Sequence, residues 1–236
     1  MTTLQELSSN SVCEVKGRVE WSSNNTLIVG FASDNNTEQL AVYKPEAGER
    51  RLHDFPIGLW KREIAAYRFA QLLGWPNIAE TIEFVGPYGI GSLQTFIEHN
   101  PEEHFFTFGD DRNRQEELLC VAIFDLLINN TDRKAGHFIV DPTNKMWCID
   151  HGLSFNNATN LRTVLWKFGG EHMDSIDVGR SLLSDIESAM PVFADALEPH
   201  LDAQDLGDLA ARIEQFVANP KMPELTSNRQ LPWPLV

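Results

Sequence analysis

The sequence predicts an α+β protein built from two lobes. Residues 1–97 contain several short segments of alternating apolar and polar residues and one helical segment, whereas residues 98–236 are mostly helical in pattern. A chain of 236 residues is long enough to form two small lobes with a substantial core. We therefore expect an N-terminal lobe with an antiparallel sheet and one helix, a mainly helical C-terminal lobe, and a ligand cleft between them.

The N-terminal lobe is predicted from period-two patterns and from turn residues. Alternation predicts its strands, namely a hairpin over 14–31 and further strands over 39–44, 79–85 and 91–98. Helical spacing of apolar residues over 60–73 predicts the one helix, which Gly74 ends, with Pro76 just beyond. Glycines and a proline mark the segment 46–59 as a loop.

The C-terminal lobe is predicted from longer apolar segments. Residues 112–129 are strongly apolar, which indicates a helix that is buried on most sides. Two short apolar stretches, 137–140 and 146–149, flank an Asp-Pro-Thr-Asn turn and predict a second hairpin. Two amphipathic helices are expected near the end of the sequence, over 180–195 and 203–218.

The composition indicates an acidic globular protein. The formal net charge is -15 at pH 7, and a field of this sign repels nucleic-acid phosphates and anionic lipid surfaces. We therefore expect no nucleic-acid partner and no membrane partner. No stretch approaches the roughly 18 consecutive apolar residues of a transmembrane helix, and the N-terminus lacks the regions of a signal peptide. The three cysteines are widely spaced and predict neither a disulfide framework nor a metal site, so a cytoplasmic location is expected.

Two charged residues of the N-terminal lobe lie where the pattern predicts apolar faces. In the third predicted strand, Leu40, Val42 and Lys44 share one face, so the ammonium is in line with two core residues and requires an anionic partner. Glu63 borders the apolar stripe of the helix and could supply that partner. The alternatives are a lysine that reaches solvent from the strand end and a solvated helix carboxylate paired with a neighbouring cation.

Two aspartates of the C-terminal lobe directly follow core elements. Asp132 lies in the polar segment NNTDRKAGH, between the buried helix and a short strand. Asp150 comes directly after a strand and is followed by a glycine at 152. Loops that rigid elements hold in place are where catalytic groups collect. The alternatives are a capped turn with solvated charges for Asp132 and a simple strand-terminating turn for Asp150.

Together, these four residue types fit phosphoryl transfer. A lysine neutralises nucleotide phosphates and a glutamate orients it, while one aspartate positions the nucleophile and another holds the metal ion that bridges the phosphates. Positioning and electrostatics supply nearly all of this catalysis. The sequence therefore favours ATP as the ligand of the cleft, with a divalent metal ion.

Four motifs, in this order, resemble those of the phosphatidylinositol 3-/4-kinase-like branch of the protein kinase superfamily. VYKP at Lys44 resembles the lysine strand of type II phosphatidylinositol 4-kinases, and REIAAY at Glu63 resembles their Arg-Glu-Val-Ala-Ala-Tyr helix. NTDR at Asp132 resembles their catalytic loop, whose Asn-Thr-Asp portion HipA-type kinases share, and IDHGL at Asp150 resembles their metal motif. The resemblance covers roughly residues 14–175. The sequence resembles more closely still a bacterial family, frequent in actinobacteria, that carries these motifs.

The resemblance implies a bilobal protein-kinase-like fold and a role for each matched residue. Lys44 would contact the α- and β-phosphates of ATP, and Glu63 would pair with it. Asp132 would be the catalytic aspartate, and Asp150 would bind Mg²⁺ or Mn²⁺. The remaining predicted ATP-binding residues form two groups. Ser22, Ser23, Asn24 and Asn25 belong to the hairpin turn that takes the place of the phosphate loop. Phe96, Ile97 and Glu98 belong to the hinge. The turn lacks the glycines of protein kinases, so an ordinary polar hairpin turn is the alternative there.

One position departs from the family pattern. The family usually has an asparagine five residues after the catalytic aspartate as a second metal ligand, and this position is His137 here. Imidazole suits transition metals better than Mg²⁺. Either His137 binds the metal and shifts the preference toward Mn²⁺, or it does not bind and turnover is low or absent. A histidine with satisfied bonds at a strand start is the third interpretation.

The acceptor is left open between a protein hydroxyl and a small metabolite. The segment 153–177 contains only Arg162, Lys167 and His172 as basic residues, whereas lipid kinases need cations there to hold inositol phosphates. A phosphoinositide substrate is therefore not expected, despite the resemblance. Two other functions stay open, because fold does not fix function. One is a pseudokinase that binds nucleotide or a partner without turnover, and the other is nucleotidyl transfer on the same scaffold.

Overall fold

The computed structural model of the protein describes residues 3–19, 24–32, 38–157 and 160–236. The N-terminal lobe is built on a five-stranded sheet with the strand order β1-β2-β3-β5-β4. Its strands are β1 Cys13–Arg18, β2 Leu27–Ala32, β3 Glu38–Pro45, β4 Thr81–Gly86 and β5 Gly89–Thr95. All neighbouring strands are antiparallel, which confirms the predicted antiparallel sheet and the hairpin over 14–31.

A short helix, α1 (Leu4–Asn10), precedes the sheet and is not predicted by the sequence pattern. Its seven residues make two turns, too few for a helical period to be recognised. The local signal is the capping box, in which Thr3 and Glu6 satisfy each other's backbone N–H groups. Leu4 and Leu7 are buried in the core of the N-terminal lobe.

The two faces of β3 have different environments. Ala41 and Tyr43 are fully buried in the N-terminal core, whereas Leu40, Val42 and Lys44 are half-buried on the opposite face. The assignment of Leu40 and Val42 to the core is therefore wrong, since α1 packs its leucines into the cluster on the other side of the sheet. Lys44 still shares a face with both residues, as the alternation requires.

Helix α2 (Leu59–Leu73) joins the two lobes. It begins after Gly58 and ends at Gly74, whose φ of 79° is left-handed, as expected of a C-terminal glycine. Its apolar face is part of the large core of the C-terminal lobe, where the ring of Phe69 stacks on Phe124 with centroids 5.8 Å apart. The helix also packs against β4 and β5. Contacts with both lobes therefore determine the position of α2.

The C-terminal lobe is mainly helical, as predicted. Its elements are α3 Phe105–Phe108, α4 Gln115–Leu127, β6 Phe138–Val140, β7 Met146–Cys148, α5 Asp177–Ala189, α6 Phe193–Leu197 and α7 Ala203–Ala218. The helix predicted over 180–195 is two helices, because Pro191 lacks the N–H that a continuous helix would use. The helix predicted from residue 112 begins at Gln115, after a 3-10 turn. Among the residues described, no helix is both long and apolar enough to cross a bilayer.

Candidate active site

The side chain of Lys44 contacts two carboxylates at the end of β3. Its Nζ lies 2.5 Å from Oε1 of Glu63 and 3.1 Å from Oδ1 of Asp150. Burial disfavours the charge of Lys44, but Asp150 and Glu63 together raise the pKa of the ammonium above its ordinary value. The lysine is therefore charged at neutral pH. The predicted pairing of Lys44 with Glu63 is present in the geometry.

Glu63 is buried on α2 and receives two bonds. Burial raises the pKa of its carboxyl, while the Lys44 ammonium and the backbone N–H of His151 favour the ionised form. The His151 N–H donates to Oε2 at 3.0 Å. Because Oε1 binds Lys44 and Oε2 binds the turn after β7, Glu63 connects the lysine to the segment that carries Asp150.

Asp150 occupies a left-handed backbone conformation, with a φ of 60°. A non-glycine residue adopts this conformation at a cost in free energy, and such residues cluster at functional sites. The turn behind it lies close to α2, since a Cβ on Gly152 would be 3.4 Å from Oε1 of Glu63. The Asp150 side chain is half-exposed in the cleft. Partial burial opposes ionisation, but Lys44 holds the pKa of Asp150 well below its usual range.

Asp132 lies on the loop between α4 and β6. Its backbone N–H donates to Oδ1 of Asn130 at 3.0 Å, and its Oδ2 lies 3.1 Å from Nζ of Lys134. Burial raises the pKa of Asp132 to about 6, and Lys134 opposes this rise. A carboxyl that titrates close to neutral pH is suited to accept a proton from a hydroxyl.

An ion pair behind Asp132 attaches its loop to α4. Arg133 donates through Nε and Nη2 to the two carboxylate oxygens of Asp125, both at 2.9 Å, and both side chains are fully buried. The Nη1 of Arg133 donates to the carbonyl of Ile149 at 2.8 Å. One guanidinium therefore connects the loop that carries Asp132 to the residue that precedes Asp150.

His137 lies beside Asp150. The backbone N–H of Lys134 donates to its Nδ1 at 3.3 Å, and its Nε2 is 3.4 Å from Oδ2 of Asp150. Burial lowers the pKa of His137 to about 3, so the ring is neutral at pH 7. Because Nδ1 accepts a bond, we infer that the ring proton is on Nε2 and faces Asp150.

One cavity is lined by half of the predicted site residues. Its wall includes Asn24, Asn25, Lys44, Glu63, Asp132 and Asp150. Its volume is about 40 Å³. The structure therefore brings together four charged residues that lie far apart along the chain.

The hairpin turn before β2 is described only in part. Ser22 and Ser23 lie outside the described residues. Asn24 accepts the backbone N–H of Arg50 through Oδ1 at 2.9 Å, and the N–H of Asn25 donates to the carbonyl of Gly48 at 3.0 Å. The turn is thus bound to the loop between β3 and α2, at the edge of the cavity.

The predicted hinge follows β5. The N–H of Phe96 donates to the carbonyl of Leu40 at 3.2 Å, which extends the sheet pairing by one residue. The carbonyl of Ile97 lies 2.8 Å from Nδ1 of His99. Phe96, Ile97 and Glu98 are not in the wall of the cavity that contains Lys44. Their contact with adenine stays a prediction.

Arg62, next to Glu63 on α2, connects this helix to the C-terminal lobe. Its Nη1 donates to the carbonyl of Ser154 at 2.7 Å, and its Nη2 donates to Oδ2 of Asp205 on α7 at 2.6 Å. The arginine side chain is 5% exposed and the aspartate side chain 13%. This interaction restrains the helix that presents Glu63 to Lys44.

Replacement of Arg62 by methionine should therefore weaken both stability and the Lys44–Glu63 pair. We expect the free energy of unfolding to fall by roughly 2–4 kcal/mol, because a buried carboxylate and a buried carbonyl lose their partner. Urea denaturation measures this loss. The matched control is Lys61→Met, which removes an exposed cation from the same helix. An equal effect of the two variants would contradict the prediction.

Sequence reasoning missed the supporting residues Arg62, Asp125, Arg133 and Asp205. A signal existed for Asp125, since it is an isolated acid within the apolar helix 112–129, and a buried acid requires a cationic partner. The other partners are not marked by any local pattern. Arg62 and Asp205 are separated by 143 positions along the chain.

Comparison with known proteins identifies relatives along most of the chain. Residues 60–192, more than half of the chain, match the family model for phosphatidylinositol 3- and 4-kinase. Protein Rv2133c of Mycobacterium tuberculosis is 31% identical to this chain over an alignment of 258 residues, gaps included. The alignment covers 93% of this chain and 91% of that protein.

Solved structures of low sequence identity share the fold. The Helicobacter pylori proinflammatory kinase CtkA has a TM-score of 0.53 at 12% identity, covering 89% of this chain and 93% of that chain. Hydra Fam20 with sugar has a TM-score of 0.56 at 16% identity, covering 89% and 85%. The Golgi casein kinase with Mn/ADP bound has a TM-score of 0.50 at 14% identity, covering 91% and 74%.

The two lobes and these structural matches define a protein-kinase-like fold, as predicted. The chain belongs to the phosphatidylinositol 3- and 4-kinase family. The bacterial relative agrees with the predicted membership in a bacterial family with this kinase likeness.

Proposed function

We propose that the protein is an ATP-dependent kinase that transfers the γ-phosphoryl group to a hydroxyl of a protein or of a small molecule. The observation that carries this proposal is the contact of Lys44 with both Glu63 and Asp150, in a cavity that Asp132 also lines. These groups are the cation, the orienting acid, the metal ligand and the base that phosphoryl transfer uses. Family membership and the ADP in one structural neighbour support the proposal.

In the proposed reaction, the ammonium of Lys44 binds the α- and β-phosphates, and Glu63 holds it in place. The acceptor hydroxyl lies beside Asp132, which takes its proton. The oxygen–phosphorus bond forms while the bond between the γ-phosphorus and the bridging oxygen breaks, so that ADP leaves. Lys134, 3.1 Å from the Asp132 carboxylate, would neutralise negative charge on the transferring group.

A divalent metal ion fits beside Asp150. Its half-exposed carboxylate is a hard oxygen donor of the kind that Mg²⁺ and Mn²⁺ prefer. The described part of the chain has no group of three or more acidic, histidine or cysteine side chains that could hold a metal ion. Phosphate oxygens and water would therefore complete the coordination. When bound, the ion would supply positive charge to the phosphates.

Ligation by His137 would require a rearrangement. Nε2 can bind a metal ion only after its proton moves to Nδ1, which would remove the bond from the Lys134 N–H. The geometry supports a role for His137 in orienting Asp150, and ligation stays a prediction.

Titration with ATP in Mg²⁺ and in Mn²⁺ distinguishes the two roles of His137. If the ring proton faces Asp150, the ratio of the two affinities should be unchanged in His137→Asn. Isothermal titration of the wild type and the variant gives both affinities. A shift of this ratio toward Mg²⁺ by about tenfold, which corresponds to 1.4 kcal/mol, would establish ligation instead.

The acceptor in this proposal is a protein hydroxyl or a small metabolite. Of the basic residues in 153–177, Lys167 donates to the carbonyl of Gly109. Arg162 and His172 are exposed. These few cations support an acceptor other than a phosphoinositide.

A pseudokinase is the second candidate, and the presence of His137 at the usual asparagine position favours it. It predicts metal-dependent ATP binding without ATP consumption. Nucleotidyl transfer is tested in the same samples, because AMP and phosphate adducts differ in mass. Incubation of the protein with labelled ATP and each divalent ion, against a lysate and a metabolite pool, measures turnover and identifies the acceptor class.

In this assay, Lys44→Met should reduce phosphoryl transfer by roughly a hundredfold, because the phosphates lose the half-buried cation that would bind them. Lys61→Met is the matched control, since it removes an exposed lysine and should leave the rate within about twofold. Circular dichroism of both variants verifies the fold. Transfer by Lys44→Met at the wild-type rate would refute the proposed role of the lysine.

A further inference from the structure

Residues 226–236, which we call the C-terminal strap, follow a fixed path although their only regular element is one 3-10 turn, Asn228–Gln230. The side-chain oxygen of Gln230 accepts the N–H groups of Thr226 and Ser227, at 2.8 and 2.9 Å, and the hydroxyl of Thr226 at 3.0 Å. One side chain therefore closes residues 226–230 into a compact loop. No step of the proposed reaction uses this segment.

The first contact of the C-terminal strap is with the segment that follows Asp150. The main-chain carbonyl of Gln230 accepts the N–H of Thr163 and the indole N–H of Trp166, both at 3.1 Å. Because the Gln230 side chain fixes the loop around this carbonyl, the carbonyl is held in the direction of both donors. The strap is thus anchored to the segment from which the acceptor site was predicted.

The second contact is with the loop that carries Asp132. The carbonyl of Leu235 accepts the N–H of Ala135 at 2.8 Å, three positions after Asp132. Ala135 is fully buried, so its N–H is shielded from water and depends on this carbonyl. A Cβ on Gly136 would lie 3.8 Å from Cγ1 of Val236, so the strap also packs over the same turn.

The two segments that the C-terminal strap contacts are bonded to each other around Asp132. The N–H of Arg162 donates to the carbonyl of Asn130, and the N–H of Arg133 donates to the carbonyl of Arg162, both at 3.0 Å. The N–H of Val164 donates back to the carbonyl of Arg133 at 3.2 Å. Asp132 lies between Asn130 and Arg133, so the main-chain bonds on both sides of it lead to the segment that the strap holds.

The C-terminal strap leaves the proposed active site open. None of residues 226–236, all of which the structure describes, lies in the wall of the cavity that contains Lys44 and Asp132. The strap therefore restrains the loop from outside the cavity and does not fill the place of the nucleotide. This arrangement favours a supporting role over an inhibitory one.

We propose that the C-terminal strap positions Asp132 for phosphoryl transfer, which makes Gln230 and Leu235 positioning residues of the reaction. This inference rests on the proposed function. A base accepts a proton from a bound hydroxyl only within a narrow range of positions, and a misplacement of about 1 Å can lower the rate about a hundredfold. Because the strap restrains the loop and not the nucleotide cavity, it should raise kcat without changing the affinity for ATP.

The first test is the rate of ADP formation from labelled ATP with Mg²⁺, with water as the acceptor. Gln230→Ala opens the loop of the strap and should lower kcat at least about fivefold, with the KM for ATP within about twofold of the wild type. Gln230→Glu should retain the wild-type rate, because a carboxylate oxygen can accept the same three bonds. The matched control Gln204→Ala removes an exposed glutamine from α7 and should change neither value.

The second test uses a chain shortened after Leu231, which lacks the carbonyl that binds Ala135. Circular dichroism verifies the fold of this variant. We expect hydrogen exchange at the Ala135 N–H to become at least about tenfold faster, and kcat to fall by about tenfold or more. The N–H of Cys148, which donates to the carbonyl of Asn77 at 2.9 Å, is the internal control and should exchange at an unchanged rate.

The outcomes separate this inference from the proposed function. An active wild type whose kcat is unchanged in Gln230→Ala and in the shortened chain would overturn the inference alone, as would unchanged exchange at Ala135. Faster turnover by the shortened chain would show that the strap inhibits. Equal losses in Gln230→Ala and Gln230→Glu, or a loss of ATP binding together with turnover, would show a merely structural role. Absence of ADP formation by the wild type would overturn the proposed function and this inference with it.

Discussion

Replacement of Asp132 by asparagine is expected to reduce phosphoryl transfer by roughly a thousandfold or more, with ATP affinity nearly unchanged. The amide keeps the shape of the side chain but cannot accept the proton of the acceptor hydroxyl. ATP binding should persist, because Lys44 and Asp150, not Asp132, would hold the phosphates and the metal ion. Single-turnover rates with labelled ATP measure the transfer, and isothermal titration measures the affinity.

The pH dependence of the wild type gives an independent check on Asp132. Burial raises the pKa of this carboxyl from 3.8 to about 6. A base acts in its deprotonated form, so the transfer rate should fall as the pH is lowered through about 6. A rate that stays constant down to pH 4.5 would contradict the assignment of Asp132 as the base.

The raised pKa of Asp132 also makes the free energy of unfolding depend on pH. The folded pKa of Asp132 lies above the unfolded value, so the folded state binds the proton more tightly and the ionised carboxylate costs stability above about pH 6. Asp132→Asn should therefore be more stable than the wild type at pH 7, by about 1–3 kcal/mol. The difference should disappear below the unfolded pKa of 3.8.

A matched control separates catalysis from folding. Asp110→Asn removes an exposed carboxylate elsewhere on the C-terminal lobe and should change neither the rate nor the stability. If Asp132→Asn retains transfer within tenfold of the wild type, the base must be another group. If it loses both transfer and stability, the aspartate is structural.

The residues that the sequence identified are those that conflict with their local pattern. Lys44 shares a strand face with apolar residues, and Glu63 borders an apolar stripe, so each required a partner that the other could provide. Asp132 and Asp150 stand out because polar turns directly follow core elements. Apolar residues that recur every two residues predict the strands of the antiparallel sheet, and apolar residues that recur about every 3.6 residues predict the helices of the second half.

The residues that the sequence did not identify depend on contacts between distant segments. The sequence predicted that the face of β3 with Leu40 and Val42 is the buried one, and this is wrong. Alternation shows that the two faces of a strand differ, but it does not show which face a helix covers. The short helix α1 covers the opposite face here. Arg62 meets Asp205 only because α2 and α7 pack in the same core, and no local period encodes that meeting. Motif resemblance supplied the functional roles, which the patterns alone left open.

The Arg133–Asp125 pair should contribute the largest effect on stability. Replacement of Asp125 by alanine leaves the guanidinium of Arg133 uncompensated in the interior, where both side chains are 0% exposed. Removal of one member of a buried ion pair costs roughly 3–5 kcal/mol. This is a large part of the roughly 5–15 kcal/mol that stabilises a typical protein. We therefore expect Asp125→Ala to lower the urea midpoint sharply and to abolish transfer, since Arg133 also binds the carbonyl of Ile149.

The exposed pair of Arg180 and Asp177 on α5 provides the control. Its side chains are 54% and 98% exposed, and Asp177→Ala should cost at most about 1 kcal/mol. The double variant Asp125→Leu/Arg133→Met should recover part of the lost stability, because apolar side chains of similar size can replace a buried ion pair. Recovery should be incomplete, since the amide of Asn130 and the carbonyl of Ile149 lose a partner. Transfer should not recover, because methionine cannot donate to Ile149. A cost for Asp125→Ala no larger than that for Asp177→Ala would show that the pair does not hold the catalytic loop.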